Sequence, residues 1–423
     1  MSRIGSPRMT MLIAVYHHVL VANKISPSLA WAPSRPTRTC LWTKSQDKME
    51  NTKESKFKQG SLASLCDITK RACDAVAPMI VAFYESLGSE TKKLKDDNSA
   101  FTIADGSVQY LFIKHLFSDN ENNEFSFRNI VGEEDNCDVN FNPGQPYTVD
   151  NLVISQDYVS IVDQARNEMT ALRKELLQKW NQELYGQLTV FLDPIDGTRE
   201  FSTGKGEQCS ICVGFADSQG HAVAGVVYRP IGLPTWASGA HSEDFVDSNL
   251  NYADEQIQGI LTTNGSISPF VNDFIQDKLK WNRIKSGGAG NKMLMLLEGR
   301  GAAYIQDRGV SRWDTCAAQA CLEARGGLLC KLSSFLNEEK LACYTYLLTE
   351  RNLDFEPGVC NLTRYNSANG DYGAKAMHVK QVKPYANLCG LIALSPGLNT
   401  ATNKENLYKA LKDAASEFPP SFD

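Results

Sequence analysis

The first 46 residues contain no aspartate or glutamate, although the chain as a whole carries 49 of them. That stretch holds Arg3, Arg8, Arg35 and Arg38, with many Ser and Thr. Its apolar run, MLIAVYHHVLVA at 11–22, is too short to span a bilayer as a helix. A positive start, a short apolar stretch and a Ser/Pro/Arg-rich continuation suggest a targeting leader over residues 1–48. The alternatives are a tail outside the fold, or initiation at Met49. The leader would imply a plastid or other organelle; without it a cytoplasmic location is expected.

The chain also lacks a basic excess. Lys and Arg number 43, and the formal net charge is -6. There is no basic stripe and no aromatic–basic motif, so a nucleic-acid partner is not expected. The 12 cysteines follow no framework spacing. The close pair Cys209 and Cys212 falls in QCSICVGFAD, which reads as a strand and sends two such sulfurs to opposite faces. Buried apolar thiols are the expected reading, in a reducing compartment such as cytosol or stroma. No internal repeat is evident.

What is present is a 423-residue chain with 42% hydrophobic residues, enough for a large layered core. SLASLCDITKRACDAVAPMIVAFYESL carries apolar residues at helical spacing, and a second helix is expected from about Ala104 to Phe117. Residues 136–186 read as an insertion, helical from about Asp157 to Trp180. LTVFLD, QCSICVGFAD and AVAGVVYRP are apolar runs of strand length. GNKMLMLLEG, WDTCAAQACLEARGG and ENLYKALKDAASE predict helices, and AAYIQD a strand. Such mixing implies layered α/β packing.

Four segments place carboxylates at strand ends or helix starts: Asp105 in FTIADGS, Glu133 and Glu134 in IVGEED, Asp193 and Asp196 in FLDPIDGT, and Asp314 in SRWDTCA. In DPIDGT an apolar strand delivers Asp193 and Pro194 breaks the ladder. Asp196 then follows three residues on, and Gly197–Thr198 opens a helix whose N–H groups suit an anion. Clustered carboxylates repel unless cations compensate, and hard magnesium prefers such oxygens. Taken singly, each has a plainer reading: Asp105 and Asp314 as helix caps, GEED as a solvated turn.

Together these segments resemble the signature of the lithium-sensitive, magnesium-dependent phosphatases of the inositol monophosphatase superfamily, over about residues 60–415. The resemblance implies an α/β (α+β) fold, a five-layer αβαβα sandwich. It is expected to divide into an N-terminal subdomain at 49–232 with the metal site and a C-terminal subdomain at 233–423. It implies two or three Mg2+ ions. Glu133, Asp193 and the Ile195 carbonyl would hold the first, Asp193, Asp196 and Asp314 the second, and Asp105 with Glu133 would border a weaker third. Thr198 paired with Asp105 would orient or deprotonate the attacking water, with Glu134 behind them. Gly197 and Thr198 would take phosphate oxygens, and Gly288, Ala289 and Lys292 of SGGAGNK would touch substrate, Lys292 as contact to a second phosphate. The plainer reading of Lys292 is a surface lysine.

DPIDGTREFSTG and SGGAGNK are similar to the bisphosphate nucleotidases, whereas YANLCGLIAL is closer to inositol polyphosphate 1-phosphatase. Where nucleotidases carry a TTTRSHS-like segment this chain reads TTNGSIS, with Ile267 in place of the histidine. The implied partner is a small phosphorylated molecule, with no nucleic acid and no membrane span. The implied activity is a phosphomonoesterase acting on 3'-phosphoadenosine 5'-phosphate, on inositol 1,4-bisphosphate, or on both. The alternatives are an inositol monophosphatase and a non-catalytic metal-binding pseudophosphatase.

Overall fold

A computed structural model describes residues 57–87, 92–94, 100–118, 125–134, 137–253, 255, 257–307, 310–336, 346, 386–387 and 390–420. The expected leader lies outside the described residues, as do Tyr385 and Leu388 of YANLCGLIAL.

The chain opens with α1 (Leu62–Glu85), β1 (Lys92–Leu94), β2 (Ala100–Thr102) and α2 (Ile103–Tyr110). The last runs on as a wider π-helical stretch to Leu116. Next come β3 (Asn129–Gly132), a small meander of β4 (Val139–Asn140), β5 (Thr148–Val149) and β6 (Leu152–Val153), then α3 (Val159–Gln178) and α4 (Gln182–Tyr185). The middle of the chain supplies β7 (Thr189–Asp196), α5 (Thr198–Ser202), β8 (Ser210–Ala216), β9 (Ala222–Arg229), β10 (Thr235–Ala240) and β11 (Phe245–Ser248). The rest supplies β12 (Gly259–Thr262), α6 (Pro269–Asp273), β13 (Asn282–Lys285), α7 (Ala289–Leu297), β14 (Ala303–Gln306), β15 (Val310–Ser311), α8 (Arg312–Glu323), β16 (Leu328–Lys331), α9 (Leu332–Leu336), β17 (Ala386–Asn387), β18 (Leu391–Leu394) and α10 (Ala401–Glu417).

Six strands form the first sheet in the order β11-β10-β9-β8-β7-β3, and five form the second in the order β13-β12-β14-β18-β16. Three apolar clusters stack between the layers. The first joins α1, α2 and α3 to one face of the first sheet, through residues such as Ile68, Val76, Met169, Val213 and Val226. The second fills the space between the sheets around α7 and α8, with Phe191, Met293, Ala317 and Tyr304. The third closes the outer face of the second sheet with α6, α9 and α10, through Phe274, Phe335 and Leu411. The result is a five-layer αβαβα sandwich.

Strand β8 shows how sequence alternation builds this. Ile211, Val213 and Phe215 join the first cluster, whereas Cys212 and Ala216 join the second. A strand buried on both faces reads as an unbroken apolar run, which is what SICVGFA is. Cys209 and Cys212 accordingly belong to different clusters, and all eight described cysteines are free thiols.

The helix expected from about Asp157 to Trp180 is α3, and the segment read as an insertion contributes to the core: Val162, Ala165, Met169, Leu172 and Leu176 are buried in the first cluster against α1. Its mean polarity misleads because a helix contributes only one stripe to a core, and the remaining faces are solvated. Among the described residues no helix is long and apolar enough to cross a membrane.

Candidate active site

Strand β7 and its edge neighbour β3 in the first sheet end where the acidic segments meet. Strand β3 runs parallel to β7. The Glu133 N–H continues that ladder onto the Leu192 carbonyl at 3.1 Å, which sets Glu133 beside Asp193. Opposite, β7 pairs with β8 up to Asp193↔Cys212 and resumes at Asp196↔Ser210. Two residues, Pro194 and Ile195, thus oppose one, Ile211. The bulge coincides with Pro194, which has no N–H to give the ladder. It carries Asp193 and Asp196 to one locality although their spacing in a regular strand would separate them. Gly197 follows in the left-handed region at φ 95°, where a side chain is disfavoured.

Asp105 and Asp314 arrive at helix starts, and both are capping residues. Asp105 Oδ2 accepts from the Thr102 N–H at 2.9 Å and from the Thr102 hydroxyl, closing a capping box on α2. Asp314 Oδ2 accepts from the Ser311 N–H at 2.7 Å, closing another on α8. Each cap leaves the second carboxylate oxygen to face the centre. Asp105 Oδ1 accepts from the Thr198 hydroxyl at 3.1 Å. The same hydroxyl lies 3.1 Å from the Ile195 carbonyl, so one proton is shared between two acceptors.

Asp193, Asp196 and Asp314 each offer an oxygen within 4.8 Å of the others. Asp196 is held by the Ala289 N–H at 2.9 Å, the Gly290 N–H at 2.7 Å and the Ser210 hydroxyl at 3.1 Å. The two N–H groups come from the first turn of α7, where backbone donors lack intrahelical acceptors, and the hydroxyl comes from the start of β8. Burial raises the Asp196 carboxyl, opposed by Lys292 and those three donors. Asp193 stands well above the carboxylate range through burial, then through Glu133, Asp196 and Asp314. Burial, then Asp196, pushes Asp314 up to about 6. Asp193 Oδ1 is buried without a hydrogen-bond partner. A buried carboxylate oxygen with no donor, among carboxylates that repel one another, fits a hard divalent cation.

Glu133 is half-buried and Glu134 buried, so GEED is not a freely solvated turn. Gln109 explains why. Its amide accepts from the Glu134 N–H at 2.9 Å and donates to the Glu134 carbonyl. A Cβ at Gly132 would stand 2.2 Å from the Gln109 oxygen, so glycine there is what admits the clamp. Gln109 lies one helical turn after Asp105, and that spacing was the available signal.

The predicted substrate residues divide. Gly197, Thr198, Gly288 and Ala289 all border the cluster: Gly288 and Ala289 start α7, and a Cβ on Gly288 would lie 2.9 Å from Asp196 Oδ2. The plainer reading of Lys292 is corrected: it is no surface lysine. It is buried, and its ammonium donates to the Gly288 carbonyl at 2.6 Å and lies 4.8 Å from the Tyr304 ring centroid. Burial lowers it to about 8, against the pull of Asp196, Glu200 and Asp314. Ile267 packs against the outermost core. Two residues not singled out from sequence knit this border. Asn264 donates to Glu200 at 2.9 Å and to Gln208 at 2.8 Å, and Gln208 accepts from the Gly287 N–H at 2.7 Å.

The profile of the family described as Inositol monophosphatase family matches residues 62–353, which include every acidic segment. The chain belongs to the inositol monophosphatase family. Within it, the rat 3'(2'),5'-bisphosphate nucleotidase 1 is 29% identical over 242 residues, 54% of this chain and 70% of that one. The mouse protein of the same name is 32% identical over 154 residues, 34% of this chain and 49% of that one. A putative inositol monophosphatase 3 of Drosophila melanogaster is 30% identical over 156 residues, 35% of this chain and 43% of that one. The matches to the mouse and fly members span about half the length of those relatives or less.

Proposed function

We propose that this family member is a magnesium-dependent phosphomonoesterase that removes a phosphate from a small bisphosphorylated substrate. The observation that carries the reading is the Asp105–Thr198 hydrogen bond, 3.1 Å long, beside the carboxylate cluster of Asp193, Asp196 and Asp314. A cluster alone would serve a structural ion equally well. A carboxylate aimed at a hydroxyl adds a route for a proton.

Glu133, Asp193, Asp196, Asp314 and the Ile195 carbonyl are the groups proposed to hold the metal, with Asp105 at its edge. When bound, magnesium supplies Lewis-acid polarisation of a phosphoryl oxygen and lowers the pKa of water. The chain does the rest. Thr198 Oγ1 passes its proton toward Asp105 Oδ1 as it accepts one from the attacking water. The capping bonds from Thr102 hold Asp105 in register for that transfer. Glu134, fixed by Gln109, buttresses the same turn. The backbone N–H groups of Gly197 and Thr198 are proposed to take phosphate oxygens. The Gly288–Ala289 turn would border the rest of the substrate. With its ammonium on the Gly288 carbonyl, Lys292 supports that turn from beneath.

Two substrates divide the reading. The names of the rat and mouse relatives favour a 3'(2'),5'-bisphosphate nucleotide, for which 3'-phosphoadenosine 5'-phosphate is the proposed example. Ile267, apolar and packed on the core, favours a substrate with no base to contact there, such as inositol 1,4-bisphosphate. The test is phosphate release by the full chain from both compounds side by side, with magnesium, with chelator and with lithium. Release from either, abolished by chelator, supports the reading and names the branch. Silence on both, and on inositol monophosphate, would leave a metal-binding pseudophosphatase.

A further inference from the structure

Three glycines lie side by side on neighbouring strands of the first sheet. Gly214 of β8 is paired with Gly225 of β9, and Gly225 with Gly239 of β10. They share the face that meets α8. A Cβ on Gly214 would stand 2.5 Å from the Ala317 nitrogen. One on Gly225 would stand 2.6 Å from both the Cα and the carbonyl oxygen of Ala317. One on Gly239 would meet the Ala324 methyl at 2.9 Å and the Ala320 carbonyl at 3.2 Å. Most of these are backbone atoms, which cannot swing aside as a side-chain end can. A methyl group at Gly225 therefore has to lift the helix. The helix side matches, since Cys321 Sγ reaches down to the carbonyls of Gly225 and Ala237, both at 3.4 Å.

The height of α8 over the sheet matters because Asp314 sits in its first turn and meets Asp193 of β7, the strand next to β8. The orphaned Asp193 Oδ1, in a residue 1% exposed, is an independent sign that a cation belongs between them. Magnesium holds its oxygen ligands at about 2.0–2.1 Å in near-octahedral geometry, so a displacement of a few tenths of an ångström is felt.

We infer that Gly214, Gly225 and Gly239 are positioning residues for the metal site: together they let α8 lie low enough for Asp314 to share one cation with Asp193 and Asp196. The inference rests on the proposed role of those three aspartates as metal ligands.

The test is calorimetric titration of Mg2+ and Mn2+ into the metal-free full chain. The proteins compared are wild type, Asp314→Asn, Gly225→Ala, Gly239→Ala, the double variant Gly239→Ala with Ala324→Gly, and Leu411→Ala. Leu411 is buried in the third cluster, away from the carboxylates, and controls for lost stability alone. Gly225→Ala, folded by circular dichroism, is expected to lose about 10–100-fold in ion affinity, as supporting groups around metal ligands do. Leu411→Ala should melt lower yet bind as wild type. Removing the Ala324 methyl should restore affinity to Gly239→Ala. Folded glycine variants that bind as tightly as wild type overturn the inference, and so does an equal loss in Leu411→Ala. If Gly225→Ala does not fold, the Gly239 variant and its rescue decide. Absence of ion binding in wild type, or no loss in Asp314→Asn, would instead sink the metal-ligand reading beneath it.

Discussion

A carboxylate has two oxygens, and this site uses them separately. Asp105 and Asp314 each spend one oxygen on a helix cap and turn the other to the centre, so the plain reading as caps and the functional reading are both satisfied. Asp105→Asn keeps an oxygen for the cap and loses the charge. It is expected to fold and bind metal, while turnover falls about 10²–10⁴-fold, the usual worth of a general base. Unchanged turnover in a phosphate-release assay would remove Asp105 from the proposed proton route. Asp193→Asn should instead lose ion binding and turnover together, read by calorimetry and assay on the same preparation.

Asp314 also gives a pH dependence with a defined sign. Its carboxyl sits at about 6 in the folded, metal-free protein against an ordinary 3.8. Between those values the folded state keeps a proton that the unfolded state has released. The metal-free protein is therefore expected to lose stability as pH rises from about 4 to about 6. Above that window the charge calls for a cation, and added magnesium should raise the melting temperature. Below it proton and metal compete, and the magnesium-induced rise should shrink. An equal rise at pH 5 and pH 7.5 would contradict this.

At the scale of elements, the first sheet and α7 are joined by a buried ion pair. Arg229, at the end of β9, donates to Glu298 at 2.6 Å and to the Asn291 side chain at 2.7 Å, tying the first sheet to both ends of α7. Burial opposes the Arg229 charge and Glu298 compensates it. Arg229→Ala would leave a carboxylate that is 1% exposed with only the longer, 3.6 Å contact to Arg300. It should cost about 3–5 kcal/mol of folding stability, measured by chemical denaturation. Because α7 supplies the N–H groups that hold Asp196, this pair also steadies one wall of the site.

At the scale of the whole molecule, a metal ion on the clustered carboxylates would couple folding to its binding. A saturating ion at 100 times its dissociation constant would add about 2.7 kcal/mol of stability. Chelator should thus lower the unfolding midpoint of the wild type, and much less that of Asp193→Asn; equal drops would place the ion elsewhere. The layered fold was legible because its strands are short apolar runs and its helices carry clear stripes. Helix α3 was legible as a helix, but its place in the core was not, since a polar average hid its five buried positions. The acidic segments stood out through DPIDGT, whose proline and glycine mark the bulge and the turn. Ser210, Asn264 and Gln208 were silent, because a neutral polar residue gains its meaning only from the donor or acceptor facing it; Gln109 offered only its spacing from Asp105.

The sequence by itself determined which groups are charged, which runs are apolar at which period, and where the backbone must break, for these are properties of neighbouring residues. Only the tertiary structure decided that Lys292 is buried beneath the site, that Ile267 turns to the core, and that three glycines seat the helix of Asp314. Those outcomes depend on contacts between residues tens to hundreds of positions apart, where burial and steric fit, not local pattern, set the energy.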